Sequence, residues 1–106
     1  MKCRMEWKPV SDFDSYEVSN DGNVRNKDTL RVLKSITHTH GYRVYRLFKN
    51  GKIHRCLAHR LVGDAFIPNP HNKRCIDHID GDRTNNMVTN LRWVTHQENQ
   101  FNRQVS

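Results

Sequence analysis

Apolar and polar residues alternate along the first half of the chain, give way to a helical stripe, and return as two short apolar runs near the C-terminal end. Tyr16, Val18 and Val24 are β-formers around Ser19-Asn20-Asp21-Gly22, so residues 6–26 are predicted to form a short entry strand and a tight hairpin. Residues 27–36 (KDTLRVLKSI) fit a strand or an irregular edge, and the pattern leaves both open. Gly41 to Phe48 alternates strongly, though both faces mix polar and apolar side chains. Asn50-Gly51 then signals a type I′ turn, with Lys52 to Leu57 returning antiparallel. From Ala58 to Phe66, Leu61, Val62, Ala65 and Phe66 make a helical stripe that Pro68 stops. Residues 67–73 (IPNPHNK) form a turn-rich linker.

The following stretch combines short apolar runs with reactive side chains. Asp77 and His78 sit between Ile76 and Ile79, a loop rich in Asn, Asp, Gly and Thr follows, and Leu91-Arg92-Trp93-Val94 is the second run. Thr95 and Glu98, three apart, have the form of a helix-capping box. The expected order is strand, long loop, strand, helix. Leu91, Trp93 and Val94, like Trp7, Phe13 and Tyr16 upstream, are expected in the core. Asp80-Gly81-Asp82 and Asn85-Asn86 are expected to make turn bonds, and their spacing does not fit a calcium loop. His59 opens the predicted helix, and a structural or N-terminal role is expected for it ahead of contact with a bound strand. In a regular strand Asp77 and His78 point to opposite faces, so strong twist or a bulge is needed for both to reach one ligand.

Composition narrows the partners. With 106 residues, 35% hydrophobic and 27% charged, the chain is sized for one domain with a modest core. The net charge is +7, and its distribution matters more than its size. Between residues 40 and 75, Arg43, Arg46, Lys49, Lys52, Arg55, Arg60, Lys73 and Arg74 face a single acid, Asp64. From residue 76 onward three basic and four acidic residues nearly balance. A basic middle beside a near-neutral, acid-containing end suits a polyanionic ligand. Cys3, Cys56 and Cys75 form no CxxC pair, so neither a structural zinc nor a disulfide framework is expected. The first ten residues hold no apolar leader and no stretch is apolar enough to span a bilayer, so no membrane partner is expected.

Read together, Asp77-His78-Ile79-Asp80-Gly81-Asp82, Asn85-Asn86, Asn90-Leu91-Arg92-Trp93-Val94-Thr95 and Glu98-Asn99 resemble the HNH nuclease motif. The form is that of phage intron-encoded homing endonucleases, in which the last His of the name is an Asn. Trp7-Lys8-Pro9-Val10 and Tyr16 to Arg25 resemble the modular N-terminal segment that accompanies these nucleases, and His59-Arg60-Leu61-Val62 with Ala65-Phe66-Ile67 resembles the helix before the motif. The resemblance implies an α+β fold: a β-rich DNA-binding segment over residues 1–52, then a nuclease region with a ββα-metal (His-Me finger) motif over residues 53–106, in one compact domain. It implies a DNA endonuclease in which His78 is the general base, Asn90 fixes the imidazole or the loop, and Asp77 and Asn99 hold one divalent cation, Mg²⁺ or Mn²⁺. His96 is the rival ligand, but Asn99 has the family's nine-residue interval after Asn90. Arg43, Arg46, Lys49, Lys52 and Arg55 of the hairpin, with Arg60, Arg92 and Arg103, are the expected contacts to double-stranded DNA. The implied setting is the cytoplasm of a bacterial host, with the protein a monomer or homodimer. A DNA-binding module that keeps the fold without turnover is the rival reading.

Overall fold

The computed structural model describes residues 5–37 and 41–98. Strands β1 (Trp7–Val10), β2 (Phe13–Ser19) and β3 (Val24–Asn26) form one antiparallel sheet in chain order. The Asp21-Gly22 turn closes its second hairpin, with Val18 opposite Val24 and Gly22 at φ +91°. β4 (Ile36–Thr37), β5 (Arg43–Lys49) and β6 (Lys52–Leu57) form a second antiparallel sheet. Helix α1 spans Ala58–Phe66, and β7 (Cys75–His78) pairs with β8 (Leu91–Val94) as a separate ribbon. A 3₁₀ turn, Val88–Asn90, leads directly into β8. Thr95 and Glu98 complete the capping box: the Thr95 amide donates to Glu98 Oε1 and the Glu98 amide to Thr95 Oγ1, each at 3.1 Å.

The ambiguous stretch resolves as mostly irregular. Asn26 Oδ1 accepts from the amides of Asp28 and Thr29, making a side-chain turn that competes with a ladder. Leu30 follows with φ +60°, and pairing resumes only at an isolated Arg25–Val32 bridge and at β4. The hairpin of β5 and β6 runs continuously through the Asn50-Gly51 turn, so a division at residue 52 crosses a single structural unit.

All three sheets share one core, with α1 at its centre. Val10, Tyr16, Val18, Val24, Tyr45 and Leu47 from the first two sheets meet Ala58, Leu61 and Val62 of the helix, and Ile76 and Leu91 of the ribbon close the other side. The helix comes close to the ribbon because Gly63 lacks a side chain: a Cβ there would lie 2.4 Å from Ile76 Cδ1 and 3.2 Å from Trp93 Cζ2. Trp93, expected in the core, is half-buried; its Nε1 donates to the Ile67 carbonyl at 3.0 Å while the Arg60 guanidinium covers its face. Trp7 and Phe13 are likewise half-buried rather than central. No helix among the described residues is long and apolar enough to cross a membrane.

Candidate active site

β7 delivers two reactive side chains, and its regular ladder sends them to opposite sides. Asp77 pairs with Arg92 and His78 with Leu91, and no register shift interrupts β7 and β8. Ile76 and His78 are buried, whereas Cys75 and Asp77 are only partly so. The twist or bulge that would turn both side chains to one face is therefore absent from the ladder. Asp77 instead forms an ion pair along the outer side of the ribbon, its Oδ2 accepting from Arg92 Nε at 3.0 Å and Nη2 at 2.8 Å.

His78 enters a polar pocket built from three other segments. Its Nε2 lies 2.9 Å from Oδ1 of the buried Asn86. The Asn86 Nδ2 group lies 3.5 Å from the Thr84 carbonyl; with its amide oxygen toward the imidazole, Asn86 favours the tautomer with the proton on Nε2. That tautomer leaves a basic lone pair on Nδ1, and the hydrogen bond at one nitrogen sets the role of the other. The His59 ring stands edge-on to His78 with centroids 5.1 Å apart, and Tyr42 lies 5.3 Å from His59 and 6.1 Å from His78. Arg83 from the ribbon's loop places its guanidinium 4.9 Å from the Tyr42 ring.

His59 is 7% exposed and its Nδ1 has no hydrogen-bond partner. Burial pushes its pKa down to about 4, helped by the neighbouring His78 and Arg60, so the ring is neutral at physiological pH.

Asn90 fixes the loop and not the imidazole. Its Oδ1 accepts from the Asp80 amide at 3.0 Å, and its Nδ2 donates to Asp80 Oδ1 and to the Asn85 carbonyl, both at 2.9 Å. The loop's acids make turn bonds, as expected: Asp80 also accepts from Asp82 N and Asn85 Nδ2, and Asp82 from Thr84 N and Oγ1. Hydrogen bonds from Asn85, the Asp82 amide and Asn90 hold the Asp80 carboxyl below its ordinary range, and those from Thr84 do the same for Asp82.

The structure also sorts the expected DNA contacts. Cross-strand partners share a face, so Arg46–Arg55 and Phe48–Ile53 lie on one side of the hairpin, and Leu47–His54 and Lys49–Lys52 on the other. The second side is buried at Leu47, while Lys49, Lys52 and His54 toward the turn are exposed, with Lys49 5.6 Å from the Phe13 ring. The first side is open: Phe48 is 59% exposed and Ile53 54%, with Arg46 and Arg55 exposed beside them. Arg43 hydrogen-bonds Ser35, and Arg60 donates to the Arg74 carbonyl and covers Trp93; both are half-exposed. Asn99 and Arg103 lie outside the described residues, and His96 is exposed at the first helical position. Among the described residues no three His, Cys, Asp or Glu side chains converge as a metal cage. Sequence reasoning missed Tyr42 and Asn86 and favoured a structural or N-terminal role for His59; the one signal for His59 was its place three residues before Val62, on the buried side of α1.

Comparison with known proteins finds nuclease relatives. Residues 56–101 match the HNH endonuclease family and residues 5–48 the NUMOD4 motif. The DNA endonuclease I-HmuI of Bacillus phage SP01 is 40% identical over 103 residues, covering 93% of this chain and 59% of that enzyme. The uncharacterized HNH endonuclease L247 of Acanthamoeba polyphaga mimivirus is 39% identical over 97 residues, covering 88% of this chain and 24% of the viral protein. A solved structure, described as DNA binding and cleavage by the HNH homing endonuclease I-HmuI, superimposes with a TM-score of 0.87 at 38% identity, over 95% of this chain and 59% of that one. The chain thus spans at most about three-fifths of these relatives.

Proposed function

This chain belongs to the HNH endonuclease family, and on that premise we propose that it is a DNA endonuclease cleaving one strand per active site. The observation that carries the reading is the buried His78 imidazole, tied through Nε2 to Asn86 on the hairpin that also presents Asp77. With Nε2 protonated, Nδ1 takes a proton from the water that attacks the phosphorus. Asp77 and His78 leave opposite faces of β7, so the scissile phosphate lies along the edge of β7 away from β8, where groups from both faces reach it. Asn90 keeps the loop closed behind the imidazole. His59 and Tyr42 pack beside His78 and limit its rotation.

Asp77 and Asn99 would hold a divalent cation, with hard oxygen donors and few protein ligands suiting Mg²⁺, which retains waters and takes phosphate oxygens. When bound, the ion supplies charge neutralisation at the phosphate and at the departing 3′ oxygen. Arg92 then shares the Asp77 carboxylate or transfers its guanidinium to the DNA backbone. Incubating supercoiled plasmid with the protein and Mg²⁺ should yield open circles, and excess chelator should stop the conversion. Binding without nicking in Mg²⁺ and in Mn²⁺ would leave only the DNA-binding module.

Arg46 and Arg55 are the strongest candidates for gripping the duplex. Like charges directly opposite on a ladder destabilise it, and a phosphate seated between them reverses that cost. A two-stranded ribbon of this kind fits the major groove, where the neighbouring Phe48 and Ile53 can meet thymine methyl groups. Replacing both arginines by alanine should weaken duplex binding and flatten the slope of log K against log salt by about 2, because two phosphates then keep their counterions. An unchanged slope would move the DNA surface off this face.

A further inference from the structure

The loop that supplies Asn86 is seated on the turn between β2 and β3, in the N-terminal sheet. Gly22 in that turn has φ +91°, and a Cβ built on it would lie 2.8 Å from Asn86 Cβ and 3.2 Å from the Asn86 carbonyl oxygen. The Asn20 carbonyl accepts from the Val88 amide at 2.8 Å, two residues beyond Asn86. From the other side the Tyr45 hydroxyl donates to the Gly22 carbonyl at 2.9 Å, in a buried bond. The turn is also braced internally. The Gly22 amide donates to the Ser19 carbonyl at 3.1 Å, the Asn23 amide to Ser19 Oγ at 3.0 Å, and Asn23 Nδ2 to Asp21 Oδ1 at 3.1 Å, around a Ser19 that is fully buried.

We propose that this turn is a positioning element of the cleavage centre: Gly22, held by Tyr45 and by the Asn20–Val88 bond, fixes Asn86, and Asn86 fixes the orientation and tautomer of His78. The proposal rests on the nuclease reading only where cleavage is the readout. Its physical basis is contact distance. No side chain larger than hydrogen fits between the Gly22 and Asn86 backbones, and the φ of Gly22 is one that other residues adopt only under strain. Tyr45 lies on β5 next to Arg46 of the open hairpin face, so the same turn ties the DNA-facing sheet to the imidazole. The segments matching NUMOD4 and the HNH endonuclease family thus act as one site and not as separable modules.

Gly22→Ala in the full chain tests this. At saturating duplex, the single-turnover cleavage rate should fall about a hundredfold or more, the size expected when a general base is misoriented or in the wrong tautomer, with duplex affinity little changed. In an Asn86→Ala background the same change should cost nothing further, because Gly22 acts through Asn86. Carbon and nitrogen shifts of the His78 imidazole, read in the metal-free protein, should leave the Nε2–H pattern in Gly22→Ala. Losses that multiply with Asn86→Ala, or an unchanged imidazole signature, would overturn the proposal. If Gly22→Ala does not fold, Tyr45→Phe replaces it: the imidazole shifts should move the same way, and their constancy would count against the turn. If the wild type cuts no duplex, the nuclease reading fails, while the imidazole comparison still decides the positioning claim.

Discussion

Replacing His78 by alanine should lower the plasmid-nicking rate by about a thousandfold, within the range typical for loss of a general base. Duplex affinity should change little, because His78 is buried and the exposed arginine pair stands on another sheet. The substitution has a second consequence. It strands Asn86 Oδ1 in a buried site, and an unsatisfied buried acceptor costs about 1–3 kcal/mol. Rates must therefore be compared well below both melting temperatures. A loss smaller than about threefold with the protein folded would remove His78 from the chemistry. Equal binding by both proteins with no cutting by either would favour the inert module.

His59 predicts a large effect of a different kind, on stability against pH. Its folded pKa of about 4 lies below the ordinary histidine value of 6.5, so as pH falls the unfolded chain takes up the proton first. Stability that is complete above pH 6.5 is lost on the way down to about pH 4. A depression of this size corresponds to about 3 kcal/mol, an order-of-magnitude figure for a ring so little exposed. Asp80, Asp82 and Glu98 have lowered pKa values too, so their contributions are present above the ordinary carboxylate range and vanish only at still lower pH. Burial raises the pKa of the Asp64 carboxyl, which opposes this loss as pH falls, so the loss below pH 6.5 is carried by His59. His59→Phe should therefore be at least as stable as the wild type at about pH 5, since it removes both the titration and the unpartnered Nδ1. Denaturant unfolding at about pH 7 and about pH 5 measures the difference. A wild type whose stability is flat between those values would contradict the assigned burial.

Much of this arrangement is legible in the residues. The Asp21-Gly22 and Asn50-Gly51 turns, the stripe ending at Phe66, and the Thr95–Glu98 box are local signals, and the chain obeys them. Residues 27–36 are undecidable from sequence because Asn26 captures two amides that a strand would have used. The faces of the β5–β6 hairpin are unreadable for another reason. Basic and apolar residues occupy both, and only the register separates Arg46 and Arg55 from Lys49 and Lys52. The alternation of Asp77 and His78 is plain in the sequence and the structure keeps it, without the bulge that a single-face site would have required. Asn86 escapes notice because it sits among turn-forming residues that look alike in sequence. Its partner is eight residues away, and its support comes from Gly22 across the fold.

The central claim is that a cation on Asp77 and the His78 imidazole serve the same phosphate although they leave β7 on opposite sides. Titrating Mn²⁺ into histidine-labelled protein bound to duplex DNA tests this through paramagnetic broadening. The His78 resonances should broaden at substoichiometric metal while those of the exposed His54 persist, and Asp77→Ala should abolish the effect. Broadening of His78 that survives Asp77→Ala, or no broadening while the metal still supports nicking, would contradict the account.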